Sequence, residues 1–106
     1  MERLYKIFTN NHFELKKETT KAVEFEKNES KEKVYLLPTK EISIVLSPET
    51  VEGDISLIDK SKKLYHNTSL NQFPKRKNKG KNPIHYGYSF KFQSEDELDT
   101  FLKNFN

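Results

Sequence analysis

A run of basic residues in the C-terminal half of the chain is the first stretch whose composition points to chemistry. The seven positions from 75 to 81 hold five basic residues: Lys75, Arg76, Lys77, Lys79 and Lys81. Such a cluster attracts phosphate groups by charge, and the release of counterions makes the binding depend on salt. The segment 74–83 therefore predicts a basic loop that contacts RNA, DNA or another polyanion.

Aromatic residues flank this basic loop on both sides. Tyr65 and Phe73 precede it, and Tyr86 and Tyr88 follow it. Cations beside exposed rings are typical of proteins that bind single-stranded nucleic acid, because bases stack on the rings while the backbone is neutralised. Since Tyr86 and Tyr88 belong to a strand pattern described below, we expect Tyr65 and Phe73 to be the rings available for stacking.

His66 and His85 bracket the same loop and are further candidate contacts. Two histidines beside a phosphate-binding loop could cleave RNA by general acid–base catalysis. We favour the simpler interpretation, in which each histidine is hydrogen-bonded at a strand end. His12 is remote in sequence, and the spacings of zinc sites and of phosphate-binding Walker loops are missing. We therefore expect a protein that is not an enzyme and has no metal or cofactor.

Charge is distributed unevenly along the chain. Residues 60–81 hold eight basic and no acidic side chains, whereas residues 41–59, from Glu41 to Asp59, hold five acidic and no basic ones. This asymmetry is informative about partners. It supports an alternative function, a protein-binding inhibitor or immunity module that uses the acidic segment 41–59, with Glu49, Glu52 or Asp54 in the contact. In a third interpretation the basic loop pairs with this segment of its own chain.

The last part of the chain predicts a strand followed by a helix. Large rings alternate with small or polar residues from position 85 to position 93, which is the period of a half-buried strand: Tyr86, Tyr88, Phe90 and Phe92. Ser94 and Glu97 then form a capping box. Apolar residues follow at helical spacing: Leu98, Phe101, Leu102 and Phe105. We expect an amphipathic helix at 94–105 whose Phe101 and Phe105 form one buried cluster with Phe90 and Phe92.

The preceding residues predict short strands separated by turns. The strands are expected at 3–8, 12–18, 23–26, 34–37, 42–46, 54–58 and 64–65, with a hairpin turn at Asn10 and Asn11. Pro48 predicts a short helical turn at 48–52, and Gly53 ends it. Residues 66–83 lack periodicity and are expected to form a long loop.

These elements predict a single α+β domain, 1–106, that is mostly β. The chain has 106 residues, enough for one small core. We expect a bent antiparallel sheet or roll of about six or seven short strands, closed by the C-terminal helix. The order and size of the elements resemble the pleckstrin-homology-like roll, an analogy of architecture that implies no functional residues. A single curved sheet with the helix on one face is the alternative.

Composition adds an expectation about location and source. Cysteine is absent, and the N-terminal stretch lacks the apolar run of a signal peptide or membrane helix. We therefore expect a cytosolic protein that does not enter membranes. Lys outnumbers Arg 17 to 2 and there are nine Asn, a bias typical of AT-rich coding in bacteria and their phages and plasmids. Together these features suggest an accessory protein of a mobile element.

Overall fold

The computed structural model describes residues 2–77, 80 and 82–105, and there it shows four helices and seven strands. In chain order these are α1 Glu2–Asn10, β1 Phe13–Glu18, β2 Val23–Lys27, β3 Lys33–Leu36, β4 Ile42–Leu46, α2 Pro48–Glu52, α3 Ile55–Lys60, β5 Lys63–His66, β6 Lys75–Arg76, β7 Ile84–Phe92 and α4 Glu95–Lys103. The predicted α+β class with a C-terminal helix is confirmed.

All the strands belong to one antiparallel sheet. Its order is β1-β2-β3-β4-β7-β5, and the short strand β6 pairs with the beginning of β7. The sheet is open, because β1 and β5 lie at its two edges and each hydrogen-bonds to one neighbour. The predicted antiparallel sheet of six or seven strands is thus confirmed as an open sheet, and helix α4 packs on one of its faces.

The first predicted strand, at 3–8, is wrong, because these residues belong to helix α1. Leu4, Ile7 and Phe8 stand at i, i+3 and i+4, which places them on one side of a helix and toward the sheet. His12 follows with a φ of 69° and turns the chain into β1. The expected hairpin at Asn10 and Asn11 is thus a helix-to-strand turn.

The predicted strand at 54–58 is also wrong, since residues 55–60 form helix α3. The alternation of apolar residues suggested a strand, but local capping favours the helix. The Asp54 carboxylate accepts hydrogen bonds from the Ser56 amide (3.0 Å) and the Ser56 hydroxyl (2.8 Å). The short helix α2 begins as expected, with Ser47 as its cap and Pro48 in its first turn.

The main core lies between the sheet and the helices. The Phe8 ring of α1 stacks on Phe25 of β2, with centroids 4.1 Å apart and planes 7° apart, and both side chains are fully buried. Asn11 joins the two long helices: its Nδ2 donates to the Ile7 carbonyl at the end of α1 (2.7 Å) and to the Asp99 carboxylate on α4 (2.8 Å).

The predicted cluster of four phenylalanines is present. Phe101 lies at the centre, with its ring centroid 5.6 Å from Phe90, 5.2 Å from Phe92 and 6.0 Å from Phe105. Phe90 and Phe105 are buried, while Phe92 and Phe101 are half-buried at the border of the core. Helix α4 therefore docks through the expected face.

Helices α1 and α4 are the longest elements of their kind in the described chain, with nine residues each. A bilayer crossing needs about 20 apolar residues. None of the described helices qualifies as a membrane span.

We expect Phe8→Ala to lower the free energy of unfolding by about 3–5 kcal/mol, because the fully buried ring leaves a cavity between α1 and the sheet. Phe101→Ala should lower the free energy of unfolding clearly less, since Phe101 is only half-buried. Urea denaturation of both variants measures the difference. Equal losses, or a Phe8→Ala variant as stable as the parent, would contradict the described packing.

The contact between Asn11 and Asp99 should make stability depend on pH. The hydrogen bond from Asn11, together with Lys103 (3.1 Å), lowers the pKa of the Asp99 carboxyl. A carboxyl with a lowered pKa stabilises the fold above its unfolded pKa, and this contribution disappears as the pH falls through the folded pKa.

The Asp99→Asn variant should therefore be less stable than wild type near neutral pH, and the difference should shrink from about pH 5 to about pH 2. Urea titrations across that range measure the difference. Glu29→Gln, an exposed change in the turn between β2 and β3, is the control. A deficit of Asp99→Asn that is independent of pH would contradict the described role.

Candidate functional site

The segment between β5 and β6 covers the second face of the sheet. Leu70 and Phe73 are buried there in a small apolar cluster with two strand residues, Tyr35 and Val45, and with Ala22 and Leu37, which lie directly before β2 and directly after β3. The Leu70 amide donates to the Asn67 carbonyl (3.1 Å), and the Phe73 amide donates to the Leu70 carbonyl (3.0 Å). The first half of the predicted loop 66–83 is thus folded onto the sheet.

A buried polar relay fixes this segment further. The Gln72 amide donates to the Tyr35 hydroxyl (3.1 Å), which donates to the Glu24 carboxylate (2.8 Å). Burial raises the pKa of Tyr35, so its hydroxyl stays protonated and can fill both roles. A buried, fully hydrogen-bonded relay specifies one position of the chain, which here is the approach to the basic segment.

Gly87 leaves the space into which the Phe73 ring packs. A Cβ atom built on Gly87 would lie 2.5 Å from the Leu46 carbonyl oxygen, 2.6 Å from Val45 Cγ1 and 3.1 Å from Phe73 Cδ2. A side chain does not fit at this point of β7. The glycine is required for the close approach of its neighbours.

Strand β6 presents the basic residues. Lys75 and Arg76 pair with His85 and Ile84 of β7, and all three cations at 75–77 are exposed. The Tyr86 amide donates to the Pro74 carbonyl (3.0 Å), which ties the start of β6 to the sheet. The predicted contacts Lys79 and Lys81 lie outside the described residues. Pairing with β7 therefore gives the first part of the basic run a fixed position.

A short stack of rings and charge lies beside β6. The Arg76 guanidinium stands 5.8 Å from the centroid of the Tyr86 ring. On the neighbouring strand, the His66 ring lies 5.8 Å from Tyr86 with an interplanar angle of 24°. Tyr86 and His66 are both half-buried. The surface made of Lys75, Arg76, Lys77, Tyr86 and His66 is called the basic–aromatic surface below.

Phe73 was expected to be free for stacking, and the structure corrects this. Its ring is 4% exposed and lies edge-on against Tyr35, with centroids 4.9 Å apart. Tyr65 is half-buried against the same cluster, and its hydroxyl accepts a hydrogen bond from Asn67 (3.3 Å). Phe73 anchors the loop, so it belongs to the core.

The two histidines do not come together. His66 is paired with Tyr86 across the strands, so their side chains share one face, whereas His85 is one residue earlier and points to the other face. The His85 Nδ1 donates to the Phe73 carbonyl (2.6 Å). The His66 Nε2 is buried and has no hydrogen-bond partner among the described residues. This geometry offers no shared acid–base pair at the basic loop.

The acidic segment 41–59 lies largely in α2 and α3. Glu52 accepts a hydrogen bond from the Tyr88 hydroxyl (3.0 Å), and Glu41 pairs with Lys91 (3.1 Å). No ion pair within residues 2–77, 80 and 82–105 joins this segment to Lys75, Arg76 or Lys77. Pairing of the loop with its own acidic segment is therefore not seen in that part of the chain.

Tyr86 is the residue that the sequence argument missed as a surface ring. The four rings of β7 span six residue steps, about 20 Å of strand. Helix α4 has nine residues, which make about 14 Å of helix. The helix packs on the end of β7 that carries Phe90 and Phe92, and it is too short to cover the end that carries Tyr86. The difference between the two lengths therefore indicates that Tyr86 lies outside the contact with α4.

Fold and surface together define a small α+β protein that presents a cationic strand beside stacked rings. Over the described residues, no group of three or more metal-binding side chains is placed to hold an ion. Comparison of the sequence with protein-family models and with curated proteins finds no match.

We expect Gly87→Ala to destabilise the protein by about 1–3 kcal/mol, because the added methyl group collides with a backbone carbonyl and pushes against Phe73. Gly80→Ala is the matched control, since a Cβ there meets nothing within 4 Å. Thermal melts of both variants measure the effect. Equal melting temperatures would show that Phe73 is not seated against Gly87.

Proposed function

We propose that this protein binds single-stranded nucleic acid without catalysis, through the basic–aromatic surface. The observation that carries the proposal is the position of the Arg76 guanidinium, 5.8 Å from the ring of the half-buried Tyr86 and next in sequence to two exposed lysines. Cations that neutralise phosphates next to a ring that accepts a base are the features that single-strand binding requires.

The charge of the surface supports the phosphate contact. Lys75, Arg76 and Lys77 are exposed and form no ion pair with any acidic side chain that the structure describes. Cations in this situation are free to neutralise phosphates, and the release of the counterions condensed on the nucleic acid then favours association at low salt. The pairing of β6 with β7 fixes the backbone of the first two cations, which lowers the entropy cost of presenting them.

The rings support a preference for single strands. Tyr86 and His66 form a continuous aromatic edge, and a base can stack on such an edge only when it is not enclosed in a duplex. Lys79 and Lys81 would extend the cationic track. The proposal includes a cytosolic accessory role in a mobile element of an AT-rich bacterium, for which the Lys- and Asn-rich composition is the support.

Reversing the three charges, as Lys75→Glu, Arg76→Glu and Lys77→Glu, should weaken binding to all sequences alike, because phosphate contacts carry no base information. For the wild type, the logarithm of affinity should fall with the logarithm of salt concentration with a slope of about −0.7 for each phosphate neutralised. Tyr86→Leu should cost a further ~1–3 kcal/mol of binding free energy if the ring stacks on a base. Filter binding with single- and double-stranded oligonucleotides at two salt concentrations measures all three effects.

A control for net charge is available on other parts of the surface. Lys6→Glu, Lys21→Glu and Lys40→Glu change three exposed lysines outside β6 and produce the same total charge. They should reduce affinity far less than the changes in β6. Equal losses in both triple variants, a stronger preference for duplexes, or no binding at low salt would each contradict the proposal.

A further inference from the structure

Helix α3 carries two of the three large apolar side chains that are exposed in the described chain. Those three, each more than one third exposed, are Leu15, Ile55 and Ile58. Ile55 is 79% exposed and Ile58 is 42% exposed. The two isoleucines stand at i and i+3 of one short helix, so they form one apolar face. None of the α3 residues is fully buried.

The borders of this face are acidic. Asp54 and Asp59 flank the two isoleucines along α3, and both carboxylates are exposed. Glu49 and Glu52 of the preceding helix α2 are exposed as well. A groove between α3 and α4 is lined by Asp54, Leu57, Asp59 and Lys60, the first cation beyond the segment. Ile55 and Ile58, with the four carboxylates that are nearest to them in sequence, are called the α3 face below.

The contacts that hold α3 in the fold do not require isoleucine at positions 55 and 58. The helix is capped by Asp54 and packs against the core through Leu57, and neither isoleucine belongs to the core cluster of the described residues. Serine has nearly the same helix propensity as isoleucine, so a polar residue would serve the fold equally well at either position. Burying an isoleucine against a partner removes apolar surface from water, which favours association.

We propose that the α3 face is a docking surface for a partner protein, and that the partner presents an amphipathic helix whose apolar side is bordered by lysines or arginines. Charge complementarity selects this partner, because residues 41–59 carry five carboxylates and no cation. The isoleucines would pack on the apolar side of that helix, and the neighbouring carboxylates would meet its cationic border. The same acidic surface would repel nucleic acid, which separates this site from the basic–aromatic surface.

The test uses a synthetic amphipathic helix of leucine and lysine as the probe and a leucine–glutamate helix as its counterpart. Titration of the isotope-labelled protein should give saturable shifts in the nuclear magnetic resonance signals of residues 49–60 with the lysine peptide alone. The double variant Ile55→Ser and Ile58→Ser should bind this peptide roughly tenfold or more weakly, which equals about 1.4 kcal/mol. Its melting temperature and oligonucleotide binding should stay unchanged.

Two further variants keep the test decisive. Leu15→Ser removes the other exposed apolar side chain, on edge strand β1, and should leave peptide binding unchanged. Asp59→Lys leaves the isoleucines and the cap in place and should weaken binding through charge alone. The proposal is overturned if the glutamate peptide binds equally well, if the double serine variant binds like wild type, or if no signal in 49–60 shifts. A dimer that is lost in the double serine variant would also overturn it, in favour of a second copy of the chain.

Discussion

The hydrogen-bonding capacity of strand β7 is the constraint on which the rest of the structure depends. Its nine residues pair with β4, β5 and β6. The His85 carbonyl bonds to Asn67 beyond β5, while the next amide, of Tyr86, bonds to Pro74 before β6. Since successive backbone groups of a strand point to opposite edges, β5 occupies one edge and β4 and β6 share the other. Because β7 is nine residues long, it can pair along its length with β4, with β5 and with the basic strand β6, which brings all of them into one sheet.

The two faces of β7 pack against different parts of the chain. On one face, Phe90 packs against α4 in the main core, and the rings nearer the start of the strand reach the surface. On the other face, Gly87 leaves space for Phe73, which seats the segment that leads into β6. The position of the basic–aromatic surface therefore follows from side-chain size on β7: a glycine on one face admits the anchor, and a tyrosine on the other supplies the ring.

Much of the fold was predictable because most elements carry a clear local pattern. The rings of β7, the capping box at Ser94 and the apolar face of α4 each indicate one structure, and that structure forms. The errors at α1 and α3 have a common cause. The apolar pattern of so short a segment fits a strand and a helix almost equally well, and contacts with distant residues or a helix cap decide between the two structures. Asn11 with Asp99 and the Asp54 cap are decisive contacts of this kind.

The site was less predictable than the fold for a physical reason. The basic run is visible in composition, but whether a neighbouring ring is free depends on what covers it, and that is a property of the tertiary structure. Phe73 lies next to the cations in sequence and is buried, whereas Tyr86 was assigned to the core and is only half-buried. The α3 face was hidden by the same limit, since a strand there would have turned Ile55 and Leu57 to one side.

The placement of β7 in the chain also has a consequence for the order of events during folding. Strands β1 to β4 pair with their neighbours in sequence, so this meander can form from short-range contacts. β5 and β6 acquire their partner strand only when β7 arrives, and α1 is tied to α4 by residues 88 positions apart. Contacts of such long range close slowly, because loop entropy is lost before they form. We expect the meander to form first, and the candidate binding surface to be completed in the last, slowest step.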